Sequence, residues 1–408
     1  MHNSSGNGLH KWFRIAVFNL LVVAFLGIIM RYKITFSLPL INQKNLLNAH
    51  SHFAFAGWIT QALMTFIAAH ISKHSSLFSF KKYKYLLLAN LLTAYGMLFS
   101  FPFEGYATIS IIFSTLSLFV SYVFSIVVWR DLNKISTKNI ATYWIKAALV
   151  FSVLSSIGPY TLAYMMATKH IYQNIYLASI YFFLHFQYNG WFFFACMGLL
   201  IDKLDIPQFS FRLKKNIFYA FVLACVPAYF LSALWLPIPL WLYIIIMIAA
   251  FAQVIAWIVF FAKLIKNHKL IFLQSNKTVV TLFTLSAIAF SIKLLLQLGS
   301  TIPSLSTWAF GFRPIVIGYL HLVFLGIFTI FILAYAFYNK YIILNKKTAL
   351  GIWIFISGIF LNEILLMLQG LGGIKYIAIP FVNELLLVIA CIMFVGITLL
   401  NISTRSST

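Results

Sequence analysis

Acidic residues are scarce in this sequence, which has 6 Asp and Glu against 29 Lys and Arg in 408 residues. Charged residues of both signs make up only 9% of the chain, and hydrophobic residues make up 62%. A soluble domain carries about 25% charged residues. The shortage of charge therefore excludes a soluble globular protein and predicts an all-α polytopic membrane protein that contacts a lipid bilayer.

Cysteine is also scarce, with three residues at Cys196, Cys225 and Cys391. All three lie in apolar runs and show neither CxxC nor CxxCH spacing, which argues against a disulfide framework and against covalently attached haem. The basic residues are spread through short loops and form no basic helix, so the net charge of +23 does not indicate nucleic-acid binding.

Twelve apolar runs are each about 20 residues or longer, the length needed to cross a bilayer. They form a single membrane domain over 1–408, with short tails at 1–11 and 401–408. The boundaries between spans 3 and 4 and between spans 7 and 8 depend on proline and glycine alone. The predicted spans are 12–31, 45–71, 83–102, 106–129, 140–166, 172–201, 215–236, 238–262, 278–298, 311–338, 348–369 and 376–400.

The distribution of positive charge predicts the orientation of the spans. The loops after spans 2, 4, 6, 8 and 10 contain 18 lysines and arginines, whereas the loops after odd-numbered spans contain six. The positive-inside rule then places both termini in the cytoplasm. We expect a multi-pass protein of a bacterial cytoplasmic (inner) membrane.

Histidine occurs at membrane depth in three spans: His50 and His52 in span 2, His185 in span 6 and His321 in span 10. All three spans run from outside to inside, and their histidines lie in the outer half or near the midplane. Because an imidazole is costly to bury in a bilayer, we predict that these residues bind haem or a metal at one shared site. The alternative is hydrogen bonding between helices. His50 and His52 are about 200° apart on a helix, so only one of them can face a given partner.

Three further ionisable residues lie within predicted spans: Lys293 in span 9, Glu363 in span 11 and Glu384 in span 12. Ionisable residues inside a membrane are candidates for function. We expect them to form a proton or ion path; the alternative is local pairing or hydrogen bonding between helices.

Two short motifs surround the histidines of spans 2 and 10: Asn48-Ala49-His50-Ser51 and Tyr319-Leu320-His321-Leu322-Val323. They resemble the Thr-Ala-His-Ala stretch and the His-Phe-His-Tyr-Val motif of subunit I of the haem–copper oxidases, the superfamily of cytochrome c oxidase and nitric oxide reductase. The resemblance implies that His50 and His321 hold a low-spin haem b. It also puts His185 where span 6 of the family supplies a copper ligand.

The sequence departs from the family at its oxygen-reducing centre. Tyr319 stands where the family has the histidine that holds the high-spin haem, and span 7 has no histidine to bind copper. The family's tyrosine in span 6 falls on Asn189, one residue after Tyr188. We expect a second haem, metal or ligand pocket lined by His52 or His185 together with Gln187, Tyr188 and Asn189. The candidate metal ligands, for example for copper, are His185, Tyr188 and Tyr319.

These features predict a divergent, oxidase-subunit-I-like haem protein that transfers electrons or handles a diatomic gas such as O2 or NO. If it is an enzyme, we expect a haem-dependent oxidoreductase that is not a conventional O2-reducing terminal oxidase. The expected partners are a cytochrome or quinol that exchanges electrons and a partner subunit. The nitric-oxide-response family of haem and copper proteins ranks second in this class. The alternative from another class is a proton-coupled secondary transporter without haem, which uses the three ionisable residues Lys293, Glu363 and Glu384.

Overall fold

The computed structural model describes residues 3–74, 80–135, 139–204, 209–271 and 275–405. Over these residues the chain consists of helices and the turns between them, without a β-strand. It divides into two compact units, Met1–Asp131 with Ile332–Thr408 and Leu132–Phe331.

The first unit is built from the two ends of the chain. Close approach of its last two helices requires glycine, because a Cβ on Gly396 would lie 2.5 Å from the backbone nitrogen of Phe355. Helix ends use polar caps, as where Asn345 and Thr348 form a reciprocal capping box. The helices are α1 Asn3–Thr35, α2 Gln43–Phe53, π1 Ala54–Thr60, α3 Gln61–His74, a 3-10 turn Phe80–Tyr83, α4 Lys84–Glu104, α5 Thr108–Asn133, α15 Ile330–Tyr338, α16 Lys346–Ile374 and α17 Val382–Arg405.

The second unit is the middle of the chain. Its helices are α6 Ile140–Ser155, α7 Ile157–Thr168, α8 Gln173–His185, π2 Phe186–Phe192, α9 Phe193–Ile201, α10 Phe211–Cys225, a 3-10 turn Pro227–Ser232, α11 Leu240–Ile271, α12 Lys277–Gly299, α13 Pro303–Gly311, α14 Arg313–His321 and π3 Leu322–Thr329. A continuous helix runs through α8, π2 and α9, and it packs against α6 and π3.

Ten helices of the described residues are long and apolar enough to cross a membrane by length and composition. This supports the multi-pass class, and the total of twelve stays a prediction. The ten are Gly8–Thr35, Gln43–His74, Phe80–Glu104, Thr108–Asn133, Ile140–Thr168, Leu240–His268, Lys277–Gly299, Arg313–Tyr338, Lys346–Ile374 and Val382–Thr404.

Predicted spans 6 and 7 are not among the ten, for different reasons. The helix that includes α8, π2 and α9 is long enough, but polar residues such as His185, Gln187 and Asn189 lower its hydropathy. In span 7, α10 has 15 residues and ends at Cys225, two residues before Pro227. Proline disrupts helical hydrogen bonding, and here a 3-10 turn continues the chain.

The ends of the helices can be compared with the predicted boundaries of the spans and tails. The turn between spans 3 and 4 is confirmed, because α4 ends at Glu104 and Gly105 adopts φ +65°. The break between spans 7 and 8 is also confirmed, since no helix covers residues 233–239. Parts of the predicted tails are helical, since α1 begins at Asn3 and α17 continues to Arg405.

Candidate functional site

Each of the three histidine-bearing spans contains a π-helical segment close behind its histidine. π1 begins two residues after His52, and π2 and π3 begin directly after His185 and His321. Elsewhere in the described chain, helices are of the α or 3-10 type. Because π-helical insertions occur frequently at functional sites, this coincidence singles out the same three spans that the sequence did.

His50 and His52 of the first unit have different neighbours, as their separation on the helix predicts. The Nε2 of His52 is 2.8 Å from the hydroxyl of Tyr106, and its ring stacks on Phe101 with centroids 4.6 Å apart. His50 instead lies beside α1, where a Cβ on Gly27 would be 3.7 Å from its Cε1. The ring of His52 therefore contacts an aromatic ring and a hydroxyl group, whereas the ring of His50 lies against α1.

Two buried asparagines that the sequence analysis did not single out bind the backbone of π1. Asn19 donates to the carbonyl of Gly57 at 2.6 Å, and Asn90 donates to the carbonyl of Ala56 at 3.0 Å. The hydroxyl of Tyr95 donates to the side-chain oxygen of Asn19 at 2.9 Å. Buried carbonyl groups need such partners where the regular helical bonds are displaced. An asparagine in an apolar span is the signal that could have identified these residues.

His321 carries its hydrogen on Nδ1, because this nitrogen lies 2.8 Å from the backbone carbonyl of Ile317, which can only accept. Nε2 is then the nitrogen with the lone pair. Histidines that bind metals characteristically donate their other ring N–H to a carbonyl or carboxylate in this way. The side chain of His321 therefore fits the role of an axial haem ligand.

His185 has the opposite tautomer. Its Nε2 donates to the carbonyl of Cys225 at 2.8 Å, and its Nδ1 accepts from the side-chain amide of Asn189 at 3.0 Å. The carbonyl of Cys225 is available because α10 ends at that residue. Both ring nitrogens of this fully buried histidine are thus bound by protein groups.

Lys293 joins the same cluster from α12. Its Nζ donates to the side-chain oxygen of Asn189 at 2.5 Å and lies 5.2 Å from the centroid of the Phe290 ring. The sulfur of Cys225 is 3.7 Å from the backbone oxygen of Asn189 and 4.0 Å from Nε2 of His185. One asparagine side chain therefore connects the imidazole of His185 to the amine of Lys293. We call His185, Asn189, Cys225 and Lys293 the lysine cluster.

The three residues predicted as metal ligands lie in one region of the second unit. The rings of Tyr188 and Tyr319 meet edge to face with centroids 6.4 Å apart, and Tyr188 also lies 6.4 Å from the ring of His185. The Tyr188 side chain interacts with Ser232 and Asn189 as well. These side chains lie near one another because α8, π2 and α14 bring them into one region, and their binding of a metal stays a prediction.

This donor set does not fit a copper ion, however. Both nitrogens of His185 already have protein partners, and the amine of Lys293 is hydrogen-bonded to the same asparagine. In its protonated form this amine would repel a metal cation strongly, because the medium has a low dielectric constant.

Glu363 and Glu384 belong to the first unit. Glu363 is partly buried in α16 and accepts from the amide of Asn362 at 3.2 Å, which is the local pairing that the sequence left as an alternative. Glu384 is exposed in the first turn of α17. A carboxylate in the first turn interacts favourably with the helix dipole. Their part in a proton path with Lys293 stays a prediction.

No protein-family model matches this chain, and a comparison with curated proteins finds no match. The resemblance to the haem–copper oxidases therefore rests on the motifs around His50 and His321. These two residues belong to different units, so the distance between them also stays a prediction.

Proposed function

We propose that this chain is a haem protein of the bacterial cytoplasmic membrane, a divergent relative of subunit I of the haem–copper oxidases. In this proposal it has twelve spans with both termini in the cytoplasm. His50 and His321 bind a low-spin haem b through two imidazoles. The observation that carries the proposal is the π-helical segment that accompanies the histidines of spans 2, 6 and 10.

In this proposal His321 and His52 have different roles. The hydrogen bond from His321 Nδ1 to the carbonyl of Ile317 holds the ring in the tautomer that coordinates through Nε2. His52 is engaged with Tyr106 and Phe101, so it supports the fold beside His50 and is not the ligand. Bound haem would supply a one-electron carrier, and a cytochrome or quinol would exchange electrons with it.

The same proposal separates this protein from conventional terminal oxidases. Reduction of O2 needs a haem iron with an open position facing a second metal. The lysine cluster supports the absence of such a centre, because Lys293 and Asn189 hold His185 in a hydrogen-bonded arrangement. Electron transfer, or the binding of O2 or NO, is the activity we propose.

A proton-coupled transporter without haem is the second candidate, and one observation favours it. Lys293, Asn189 and His185 form a continuous hydrogen-bonded chain of buried polar groups inside helices that the sequence assigns to the membrane. Groups that exchange protons in such a position are typical of proton-coupled transporters.

An optical spectrum of the purified protein distinguishes the two candidates. The haem proposal predicts a Soret band and a reduced-minus-oxidised spectrum of a low-spin b-type haem, with about one haem per chain. The protein should be produced in cells supplied with a haem precursor, so that limited haem synthesis does not decide the result. A folded, colourless protein under these conditions would refute haem binding and favour the transporter.

A further inference from the structure

Lys293 lies within α12 with 4% of its surface exposed, and its charge has no carboxylate partner among the described residues of its unit. The described carboxylate of this unit, Asp202, is bound by Lys203 at 3.3 Å and lies 3.4 Å from the amide of Asn139. In the first unit, by contrast, Lys82 pairs with a buried aspartate at 2.6 Å. Among the described residues of its unit, Lys293 is therefore a buried base without an ion pair.

The surroundings of Lys293 nevertheless suit a positive charge. The side-chain oxygen of Asn189 accepts its hydrogen bond at 2.5 Å, and the Phe290 ring presents π-electron density 5.2 Å away. A hydrogen bond to an ionised donor and a cation–π contact both stabilise the ammonium form. The Asn189 side chain cannot carry a compensating negative charge.

The same place contains atoms of types that metals bind, although in this structure they are engaged with protein groups. Nε2 of His185 and the sulfur of Cys225 are 4.0 Å apart. Zinc binds histidine nitrogen at about 2.0–2.1 Å and cysteine sulfur at about 2.3 Å, so one ion can contact two donors with this separation. The hydroxyl of Tyr188 and the side chain of Asn189 supply further donor groups nearby. To bind a cation, Nε2 of His185 would have to give up its hydrogen and its bond to the carbonyl of Cys225, and the neighbouring charge opposes the cation.

We propose that the ammonium of Lys293 takes the place of the second metal ion and keeps metal cations out of the lysine cluster. Asn189 accepts from the amine and donates to Nδ1 of His185, so it holds the charge beside the imidazole and turns Nε2 towards the carbonyl of Cys225. A metal cation would have to displace that carbonyl and approach the ammonium in a medium that screens charge poorly. Lys293 would exclude metals in this way whether or not haem binds.

The test is metal binding by chelator-treated, detergent-purified full-length protein. Zn2+ is titrated into the unmutated protein and into Lys293→Met, which removes the charge and keeps a side chain of similar length. Lys293→Arg keeps the charge, and Lys277→Met removes an exposed lysine from the first turn of the same helix. Co2+ serves as a second probe, because a cobalt–thiolate bond has its own absorption.

We expect Lys293→Met to bind one Zn2+ per chain at least about tenfold more tightly than the unmutated protein. The unmutated protein, Lys293→Arg and Lys277→Met should show no such binding. Adding His185→Ala or Cys225→Ser to Lys293→Met should abolish it, and Co2+ should show the thiolate band only when Cys225 is present. Lys293→Gln, which keeps a hydrogen-bonding side chain, is a second neutral variant if Lys293→Met folds poorly.

Two outcomes would overturn the inference. The first is stoichiometric Zn2+ or copper in the unmutated protein that His185→Ala removes, since the cluster would then hold a metal despite Lys293. The second is a folded neutral variant that gains no metal. The first outcome can be observed without any variant of Lys293, so the inference can be refuted even if those variants fail to fold. A colourless protein would count against the haem proposal only, so the two failures can be distinguished.

Discussion

His185 and His321 occupy equivalent positions in the second unit, each directly before a π-helical segment, yet they present opposite nitrogens. His321 donates from Nδ1 to a carbonyl of its own helix, four residues back. His185 donates from Nε2 to a carbonyl at the end of another helix and receives a hydrogen bond from Asn189 at Nδ1. The partners of an imidazole, more than its position in a motif, therefore decide whether it can bind a metal.

The two regions also differ in charge. The cluster around His185 includes the buried amine of Lys293, whereas the described hydrogen bond of His321 is to a neutral backbone carbonyl. The haem proposal therefore assigns the iron to His321 and not to His185, because both ring nitrogens of His185 are engaged with protein groups. Four predictions test this difference, beginning with the largest expected effect.

Removing either proposed ligand should abolish the low-spin haem signal. We expect His321→Ala and His50→Ala to lose essentially all of it, because a bis-imidazole centre requires both nitrogens. His185→Ala should retain it. The measurement is the reduced-minus-oxidised spectrum together with haem content per chain. If the haem signal were lost in His185→Ala and kept in His321→Ala, the haem ligand would be His185 and not His321.

Oxygen uptake should be far below that of a terminal oxidase. Purified protein supplied with a reducing dye is expected to consume O2 no faster than its His185→Ala variant, because the lysine cluster lacks the ligand set of a copper centre. Copper analysis of the same sample should give much less than one ion per chain. Rapid uptake that depends on His185, with stoichiometric copper, would show that a working binuclear centre exists.

Asn189→Leu should destabilise the protein more than the loss of an asparagine that makes a single side-chain hydrogen bond. It leaves both Nδ1 of His185 and the amine of Lys293 without their hydrogen bonds, at a cost of about 1–3 kcal/mol for each buried group. Asn362→Leu, which removes one bond to Glu363, is the matched control and should cost less. Thermal unfolding of both variants in the same detergent measures the difference. Equal losses would mean that Asn189 does not connect the two groups.

The smallest effect is expected at His52, on the opposite face of its helix from His50. Tyr106→Phe removes one hydrogen bond and should lower the free energy of unfolding by about 0.5–1.5 kcal/mol. His52→Ala should shift the haem spectrum slightly without reducing haem content. Loss of haem in His52→Ala, with His50→Ala unaffected, would exchange the roles of the two histidines.

The sequence alone was sufficient for the membrane class and for the choice of spans 2, 6 and 10. Both follow from composition and from the positions of polar residues along apolar runs, which are properties of consecutive residues. The break at Gly105 was predictable for the same reason, since a glycine and a proline lie close together there. The π-helical segments were not predicted, because they depend on how neighbouring side chains bind the displaced carbonyls.

Only the tertiary structure decided the chemistry of the individual side chains. Asn189 and Lys293 are 104 residues apart, and their hydrogen bond exists because two helices bring them together. Likewise Glu384 lies in an apolar run yet is exposed at a helix start, while His185 is buried and bound at both nitrogens. Hydropathy determines which residues enter the membrane. The binding of a proton or a metal depends on atoms within a few ångströms of it, and only the folded chain brings those atoms together.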